Sequence, residues 1–311
     1  DLYEKYESFL MVVDYHALTS LKDPEALRQN ILDVVKDYLA LGVDPAKAVF
    51  FKQSDVQEHT ELAWVLECLV SVPFLMQAHA YKDKVAKGLE PSAGLFNYPM
   101  LMAADILLYQ TDKVPVGKDQ QQHVEIARDI ALKFNMIYGE TFTLPEHLIH
   151  ENIAVVPGID GQKMSKSYGN TIPIFGDEKA TEKAIMSIVT DSKGQADAKD
   201  PDSCIIYQIH KLLLSEAEAK TLADEYRNGL AYGDAKKRLF TSYMDMFGAM
   251  RKKRESLSDK DVKEVLRDGQ KRASALAAAK MEEVRARVDA DARLLLDTRG
   301  VVPAAPHVEA L

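Results

Sequence analysis

The chain has 311 residues, of which 47% are hydrophobic and 28% charged, and its formal net charge is −9. This composition is typical of a folded globular protein and excludes a disordered or fibrous chain. The acidic balance disfavours a general nucleic-acid coat protein, although it is compatible with a local basic patch. No apolar run of about 18 residues and no secretory signal is present, so we predict a cytoplasmic protein. Cys68 and Cys204 lack metal-ligand spacing, and we expect both to be core thiols.

The N-terminal segment predicts a parallel β-α-β unit. Residues 9–13 form an apolar run that ends in Asp14, as expected of a buried strand with an acid at its carboxyl end. A helix is predicted between residues 23 and 42, and a second strand at residues 48–51. Ligands of parallel sheets bind at the carboxyl ends of the strands, where Asp14 and residues 53–55 would lie.

The middle of the chain continues this alternation of helices and strands. Helices are predicted at residues 60–81, 97–109 and 119–134, and strands at residues 114–116 and 153–156. The fold class is therefore α/β, with a Rossmann-like parallel sheet covered by helices.

The last third of the chain shows only helical periodicity. It is interrupted by the polar residues 191–202 and by turns predicted near Gly229 and Gly269, and residues 273–288 are strong helix formers. We predict three parts: a Rossmann-like catalytic domain at residues 1–180, an all-helical domain at 181–288, and a tail of unknown role at 289–311.

Asp105 is a single carboxylate within the apolar helical segment 101–109. A buried acid is costly without a hydrogen-bond donor, so some group must donate to it. Tyr98 and Met102 fall on the same helix face and would form an apolar wall beside it. An indole ring fits this wall because it is flat and its N–H only donates. An ordinary core aspartate paired with a protein donor is the alternative.

Residues 114–120 read as a strand end, a glycine and the start of a helix. Gly117 would allow a ligand to approach the backbone, and Asp119 would accept from ribose hydroxyls. An N-cap role for Asp119 is the alternative. Lys84, near the end of a predicted helix, would reach a phosphate or simply face solvent. His123 has no second histidine or cysteine nearby to support a metal site.

Residues 163–167 form the pentapeptide KMSKS, bracketed by Gly158, Gly161 and Gly169. Two ammonium groups, Lys163 and Lys166, with two hydroxyls beside them can converge on one triphosphate if the glycines make the loop mobile. A solvated polar loop is the alternative. The run 251–254 is basic, which is typical of solvated helix faces but also of phosphate contacts.

Taken together, these segments resemble the class I aminoacyl-tRNA synthetases, specifically the tryptophanyl branch of bacterial type. The matching segments are residues 13–19, 53–56, 98–109, 114–123 and 163–167. The resemblance extends from residue 9 to about residue 285, and five blocks in the same order make chance agreement very improbable. Two readings remain open beside it: a tyrosine-activating relative, and a catalytically silent protein that binds tRNA or tryptophan.

The resemblance implies ATP-dependent activation of L-tryptophan to tryptophanyl-adenylate, followed by transfer to tRNA(Trp). It implies Mg²⁺ bound with the triphosphate rather than by a protein cage, a helical domain that reads the anticodon, and a homodimer. It also implies a HIGH-like element upstream of Asp14, after an additional N-terminal strand that is the first strand of the family. Residues 1–13 hold no such element, and we expect it to precede Asp1.

The resemblance also implies roles for individual residues. Tryptophan would be bound by Asp105, Tyr98, Met102, Val114, Val116 and Gln120. ATP would be bound by Gly117, Lys118, Asp119, Lys163, Met164, Ser165, Lys166 and Ser167. The catalytic charge stabilisation would come from Lys163, Lys166 and Lys84.

Overall fold

The computed structural model of the protein describes residues 5–77, 81–82, 86, 88, 90–117, 120–149 and 156–299. By packing, the chain divides into two compact units. The first unit comprises residues 1–34, 44–151 and 260–311, and the second comprises residues 35–43 and 152–259. The three-part division predicted from the sequence, at residues 1–180, 181–288 and 289–311, stays a prediction.

A parallel pair of strands lies at the start of the first unit. Strand β1 (Ser8–Val12) pairs with β2 (Ala48–Lys52), with Ser8 opposite Ala48 and Val12 opposite Lys52. The predicted β-α-β order is confirmed. The connection contains the short helix α1 (Asp14–Ala17) and helix α2 (Pro24–Ala40). A second parallel pair joins β3 (Lys113–Pro115) to β4 (Glu146–Leu148).

Helix α2 begins and ends as its sequence indicates. The Oδ1 atom of Asp23 accepts hydrogen bonds from the backbone N–H groups of Glu25 and Ala26, at 2.9 and 3.2 Å. This satisfies two of the amides that a helix start leaves unpaired. Gly42 follows the helix with a φ of 104°, a left-handed conformation that suits glycine.

The remaining helices of the first unit differ in part from the predictions. They are α3 (Glu58–Glu67), α4 (Val72–Leu75), α5 (Ala93–Leu107), α6 (Gln121–Tyr138) and the C-terminal helix α11 (Asp259–Arg299). The single helix predicted at residues 60–81 is wrong, because the chain leaves the helix after Glu67 and starts α4 with Pro73 in its first turn. Proline lacks an N–H and is tolerated there but not in a helix interior. Helix α11 extends to Arg299, into the predicted tail.

Helix α11 completes the core of the first unit. Its buried residues Ala273, Ala277, Met281 and Val284 belong to the same apolar cluster as residues of β2, α3, α5 and α6. By packing, the C-terminal helix therefore belongs with the sheet-bearing unit and not with the other helices of the last third.

Gly269 lies inside α11, so the turn predicted there is wrong. A Cβ atom built on Gly269 would lie 1.9 Å from the carbonyl oxygen of Phe50 in β2. No heavy atom can occupy that position without moving the backbone. The glycine is present because the helix and the strand approach each other closely.

We expect Gly269→Ala to destabilise the protein by about 1–3 kcal/mol, because the added methyl group must push α11 away from β2. Gly248→Ala is the matched control, since a Cβ there meets nothing within 4 Å inside a helix. Alanine should stabilise that helix by about 0.5–1 kcal/mol. Thermal unfolding followed by circular dichroism measures both changes. Equal melting temperatures for the two variants would contradict the close approach.

The second unit contains four α-helices between residues 178 and 256. Its helices are α7 (Glu178–Met186), α8 (Ile205–His210), α9 (Glu216–Arg227) and α10 (Tyr232–Ser256). They pack around a core that includes Ile185, Ile206, Leu222, Tyr226 and Leu239. The polar interruption predicted at residues 191–202 is confirmed as a non-helical segment.

This interruption is organised by one buried cation. Lys199 is only 2% exposed, and its Nζ donates to the carbonyl oxygens of Gly194, Gln195 and Asp197 at 2.9–3.2 Å. The ammonium group also lies 5.0 Å from the centre of the Tyr232 ring. Three carbonyls and an aromatic face compensate for the burial of the charge.

The basic run in α10 is not a uniform surface. Arg251 is buried, and it donates to the carbonyl oxygens of Ile174 and Gly176 at 2.6 and 2.5 Å. Arg254 is paired with Asp37. The hypothesis that this run contacts nucleic acid therefore applies only to its exposed members, Lys252 and Lys253.

His210 gives the second unit a defined pH dependence. The side chain is buried, and its Nε2 lies 2.9 Å from the Ser242 hydroxyl. Burial and the nearby charge of Arg238 lower the pKa of His210 to about 4. Since the unfolded chain takes up this proton near pH 6.5, folding is favoured above that pH and loses this contribution as pH falls towards 4.

We expect His210→Gln to flatten the fall in stability between pH 6.5 and 4.5. The histidine alone contributes a slope of at most about 1.4 kcal/mol per pH unit in this window. Melting temperatures of the two proteins across the window test this, with values above pH 7 as the internal reference. Parallel curves would show that His210 is not a buried neutral histidine.

Candidate functional site

Asp105 of α5 lies at the centre of a polar cluster in the first unit. Its side chain is 7% exposed, and its Oδ2 lies 2.8 Å from the Nε2 atom of His16. The amide nitrogen of Gln53 donates to both carboxylate oxygens, at 2.8 and 3.0 Å. The Nδ1 atom of His59 lies 2.7 Å from Oδ1 but has no aligned hydrogen bond. His16 and Gln53 thus supply the predicted hydrogen bonds, and His59 adds a close polar contact to Oδ1.

Two of these residues, His16 and Gln53, lie just beyond the carboxyl ends of the parallel strands β1 and β2. Gln53 directly follows β2, and its Oε1 accepts the backbone N–H of Tyr15 in α1 at 3.2 Å. Asp14, which follows β1 closely, accepts the backbone N–H of Ser54 at 3.0 Å. The two strand ends are therefore tied together, as the sequence predicts for a ligand-binding edge.

Asp105 is held in its ionised form. Burial by itself would raise the pKa of Asp105, but its contacts with His16 and His59 outweigh burial and hold the pKa below its ordinary value. At neutral pH the side chain is a carboxylate, which accepts hydrogen bonds and cannot donate them.

Tyr98 and Asp105 are brought together by the helix face that they share. The rings of Tyr98 and His16 meet edge to face with centroids 6.1 Å apart, and His16 contacts Asp105. The Tyr98 hydroxyl lies 3.0 Å from Nε2 of His123, and burial raises the pKa of Tyr98. Met102 lies between them on α5 and is half-buried. These positions form an aromatic and apolar wall beside a carboxylate.

The predicted tryptophan-binding residues that follow α5 make mainly apolar and backbone contacts. Val114 of β3 packs against the core of the first unit, and the N–H of Val116 donates to the Leu148 carbonyl at 3.1 Å. Gln120 is exposed at the start of α6, where its N–H donates to the Gly117 carbonyl. Three predicted residues, Lys84, Lys118 and Asp119, lie outside the described residues.

The KMSKS loop in the second unit presents its two lysines to solvent. Lys163 and Lys166 are exposed, and a short 3-10 helix spans Lys166–Tyr168. The hydroxyls of Ser165 and Ser167 lie 2.7 Å apart. Met164 is half-buried and packs against the core of this unit. Two ammonium groups and two hydroxyls thus occupy one short exposed segment.

Asn170 holds this loop in shape. It is 2% exposed, its Oδ1 accepts the Ser165 N–H at 2.8 Å, and its Nδ2 donates to Asp160 and to the Lys163 carbonyl. A Cβ on Gly158 would lie 2.3 Å from Nδ2 of Asn170. Gly158 is therefore required by close packing, and the loop mobility expected from the sequence stays a prediction.

Four residues of these clusters received no individual role from the sequence, although Gln53 was expected at the ligand-binding edge: His16, Gln53, His59 and Asn170. His16 and Gln53 stand in the segments that carry the family resemblance, directly after the predicted strand ends. Their position at the carboxyl ends of parallel strands, where ligands bind, is the feature of the sequence that could have identified them. His59 and Asn170 carry no local pattern, because their roles depend on contacts made after folding.

The comparison with known families agrees with this geometry. The family model of class I tRNA synthetases (W and Y) matches residues 1–248. The tryptophan–tRNA ligase of Fusobacterium nucleatum is 48% identical over 92% of this chain and 89% of its own length. That of Campylobacter jejuni is 50% identical over 91% and 90%. This chain belongs to the tryptophan–tRNA ligase family of class I tRNA synthetases.

Solved structures give the same result. Tryptophanyl-tRNA synthetase from Campylobacter jejuni, complexed with ADP and tryptophan, has a TM-score of 0.89 and 49% identity, covering 93% of this chain and 92% of that one. The Mycoplasma pneumoniae enzyme has a TM-score of 0.73 and 32% identity, covering 90% and 87%. The family resemblance and the α/β fold class inferred from the sequence are confirmed.

Proposed function

We propose that the protein activates L-tryptophan with ATP and transfers it to tRNA(Trp). In the first step an oxygen of the tryptophan carboxylate attacks the α-phosphorus of ATP, giving tryptophanyl-adenylate and releasing pyrophosphate. In the second step the tryptophanyl group moves to a tRNA hydroxyl and AMP leaves. The ionised Asp105 beside an aromatic wall, in a chain of this family, is the observation that carries the proposal.

Asp105 would select tryptophan through the indole N–H. The carboxylate already accepts from protein donors, so the substrate N–H takes the place of the most exposed one, His16, on Oδ2. Tyr98 and Met102 supply the wall, and Val114, Val116 and Gln120 complete the pocket. A substrate without an N–H would leave the buried carboxylate short of a donor, which costs far more than a missing methylene group.

The phosphates of ATP would be bound by the KMSKS loop. Lys163 and Lys166 are exposed ammonium groups, able to follow negative charge as it moves onto the leaving pyrophosphate. Lys84 would assist them, Met164 would contact the adenine, and Ser165 and Ser167 would donate hydroxyls. Gly117, Lys118 and Asp119 would hold the ribose. Mg²⁺ would enter with the triphosphate. No protein base is needed, because the attacking carboxylate is already ionised.

We also propose that residues 181–288 carry the surface that reads the anticodon. Lys252 and Lys253, the exposed members of the basic run 251–254, would contact tRNA phosphates there. Among the helices that the structure describes, none has the length and apolar character needed to cross a bilayer. A cytoplasmic location, where charged tRNA is consumed, fits this function. The tail at residues 289–311 receives no role.

We expect Asp105→Ala to lower kcat/KM for tryptophan by about 10²-fold or more in ATP–pyrophosphate exchange, because the indole N–H loses its acceptor. Asp129→Ala is the control, since Asp129 is an exposed carboxylate on α6. It should retain the activity of the unmodified protein. Circular dichroism of both variants verifies folding. Unchanged tryptophan selection in a folded Asp105→Ala protein would overturn the pocket assignment.

The proposed homodimer is supported by apolar residues on the surface of α3 and α4. Trp64, Val72 and Met76 are 68%, 60% and 47% exposed, and Cys68 beside them is exposed as well. The expectation that Cys68 is a core thiol is therefore wrong, whereas Cys204 is half-buried. An apolar surface of this kind marks an interface, and a two-fold dimer would bury it against its own copy.

We expect Trp64→Glu to shift the protein from dimer to monomer in sedimentation velocity experiments, because a carboxylate would have to be buried in the interface. Met136→Glu is the matched control. Met136 is 78% exposed on α6 and equally apolar, but it lies outside this surface. It should leave the dimer intact. A dimer that survives Trp64→Glu would place the interface elsewhere.

A further inference from the structure

The two oxygens of the Asp105 carboxylate have different surroundings. Oδ1 is contacted by Gln53 and by Nδ1 of His59, at 2.8 and 2.7 Å, and both of these side chains are 0% exposed. Oδ2 is contacted by Gln53 at 3.0 Å and by His16, whose side chain is 17% exposed. One oxygen is therefore anchored from the buried side, and the other is the one that a ligand can reach.

His59 is itself held in place. Its Nε2 lies 2.9 Å from the Tyr109 hydroxyl, and its ring stacks against Phe51 with centroids 6.1 Å apart. The Tyr109 ring in turn stacks on Phe9 with a centroid distance of 4.7 Å. Aromatic packing on these sides fixes the imidazole plane.

The contacts of His59 also determine where its proton lies. A bare Nδ1 lone pair 2.7 Å from a carboxylate oxygen would be repelled, so Nδ1 carries the hydrogen. In the tautomer that carries this hydrogen, Nε2 accepts from the Tyr109 hydroxyl, 2.9 Å away. Burial and the charge of Asp105 raise the pKa of Tyr109, so the hydroxyl keeps its proton. In this arrangement Tyr109 donates to His59, and Nδ1–H of His59 points to Asp105.

We propose that His59, oriented by Tyr109, is a positioning residue that holds Oδ1 of Asp105 and thereby aims Oδ2 at the indole N–H of the substrate. This inference rests on the proposed function and adds the origin of its specificity. Among the residues that the structure describes, Gln53 is the other fully buried side chain on the carboxylate, and it contacts both oxygens and therefore does not distinguish them. Without His59, the carboxylate would be free to turn away from the substrate.

The test compares tryptophan with benzothienylalanine, an analogue of similar shape in which sulfur replaces the indole N–H. ATP–pyrophosphate exchange gives kcat/KM for each, and their ratio reports only the N–H interaction. The variants are His59→Leu, which removes both polar contacts, and His59→Asn, whose side-chain amide nitrogen occupies the position of Nδ1. Tyr109→Phe removes one hydroxyl only and covers the case in which His59→Leu does not fold. Tyr138→Phe, on α6, is the control for Tyr109→Phe, because it removes a tyrosine hydroxyl elsewhere in the same unit.

We expect the unmodified protein and Tyr138→Phe to favour tryptophan by about 10²-fold or more. His59→Leu should lower this ratio at least tenfold, and Tyr109→Phe should lower it by a smaller factor. In both, kcat/KM for benzothienylalanine and KM for ATP should change little, and His59→Asn should recover most of the ratio. If the variants slow both substrates equally, His59 is only structural and the proposal is wrong. If the unmodified protein does not discriminate, the Asp105 pocket assignment fails first, and this inference falls with it.

Discussion

The buried negative charge of Asp105 constrains how α1, the end of β2 and α3 are arranged in the first unit. An ionised carboxylate that is 7% exposed costs several kcal/mol unless donors and positive charge surround it. The polar contacts of Asp105 come from three elements: His16 lies in α1, Gln53 follows β2, and His59 lies in α3. None of the contacting residues is near Asp105 in sequence, so the ionised carboxylate can be buried at low cost only when the strand ends and the helices are all in place. The same network prepares an acceptor for a substrate N–H.

The C-terminal helix supports this network from the other side of the strand. Gly269 allows α11 to touch β2, and Gln270 donates to the Asp55 carbonyl at 3.2 Å, two residues after Gln53. Arg272 donates to the Pro45 carbonyl just before β2. The helix therefore braces both ends of the strand whose next residue contacts Asp105. This explains why residues 260–289, far along the chain, pack with the sheet.

Much of this arrangement was predictable from local chemistry. The two apolar runs that became β1 and β2, the cap at Asp23 and the carboxylate at position 105 each have a physical signature within a few residues. The failures have a common cause. Gly269 looks like a turn glycine, yet a contact with the distant backbone of Phe50 requires it inside a helix. His59 was missed for the same reason, since its partners are 46 and 50 residues away.

The central claim is that this chain forms tryptophanyl-adenylate from tryptophan and ATP, and the most direct measurement is amino-acid-dependent ATP–pyrophosphate exchange. The account predicts exchange with L-tryptophan and, at the same concentration, a rate at least about 10²-fold lower with L-tyrosine. Exchange with tyrosine at a comparable rate, or none with tryptophan, would contradict it.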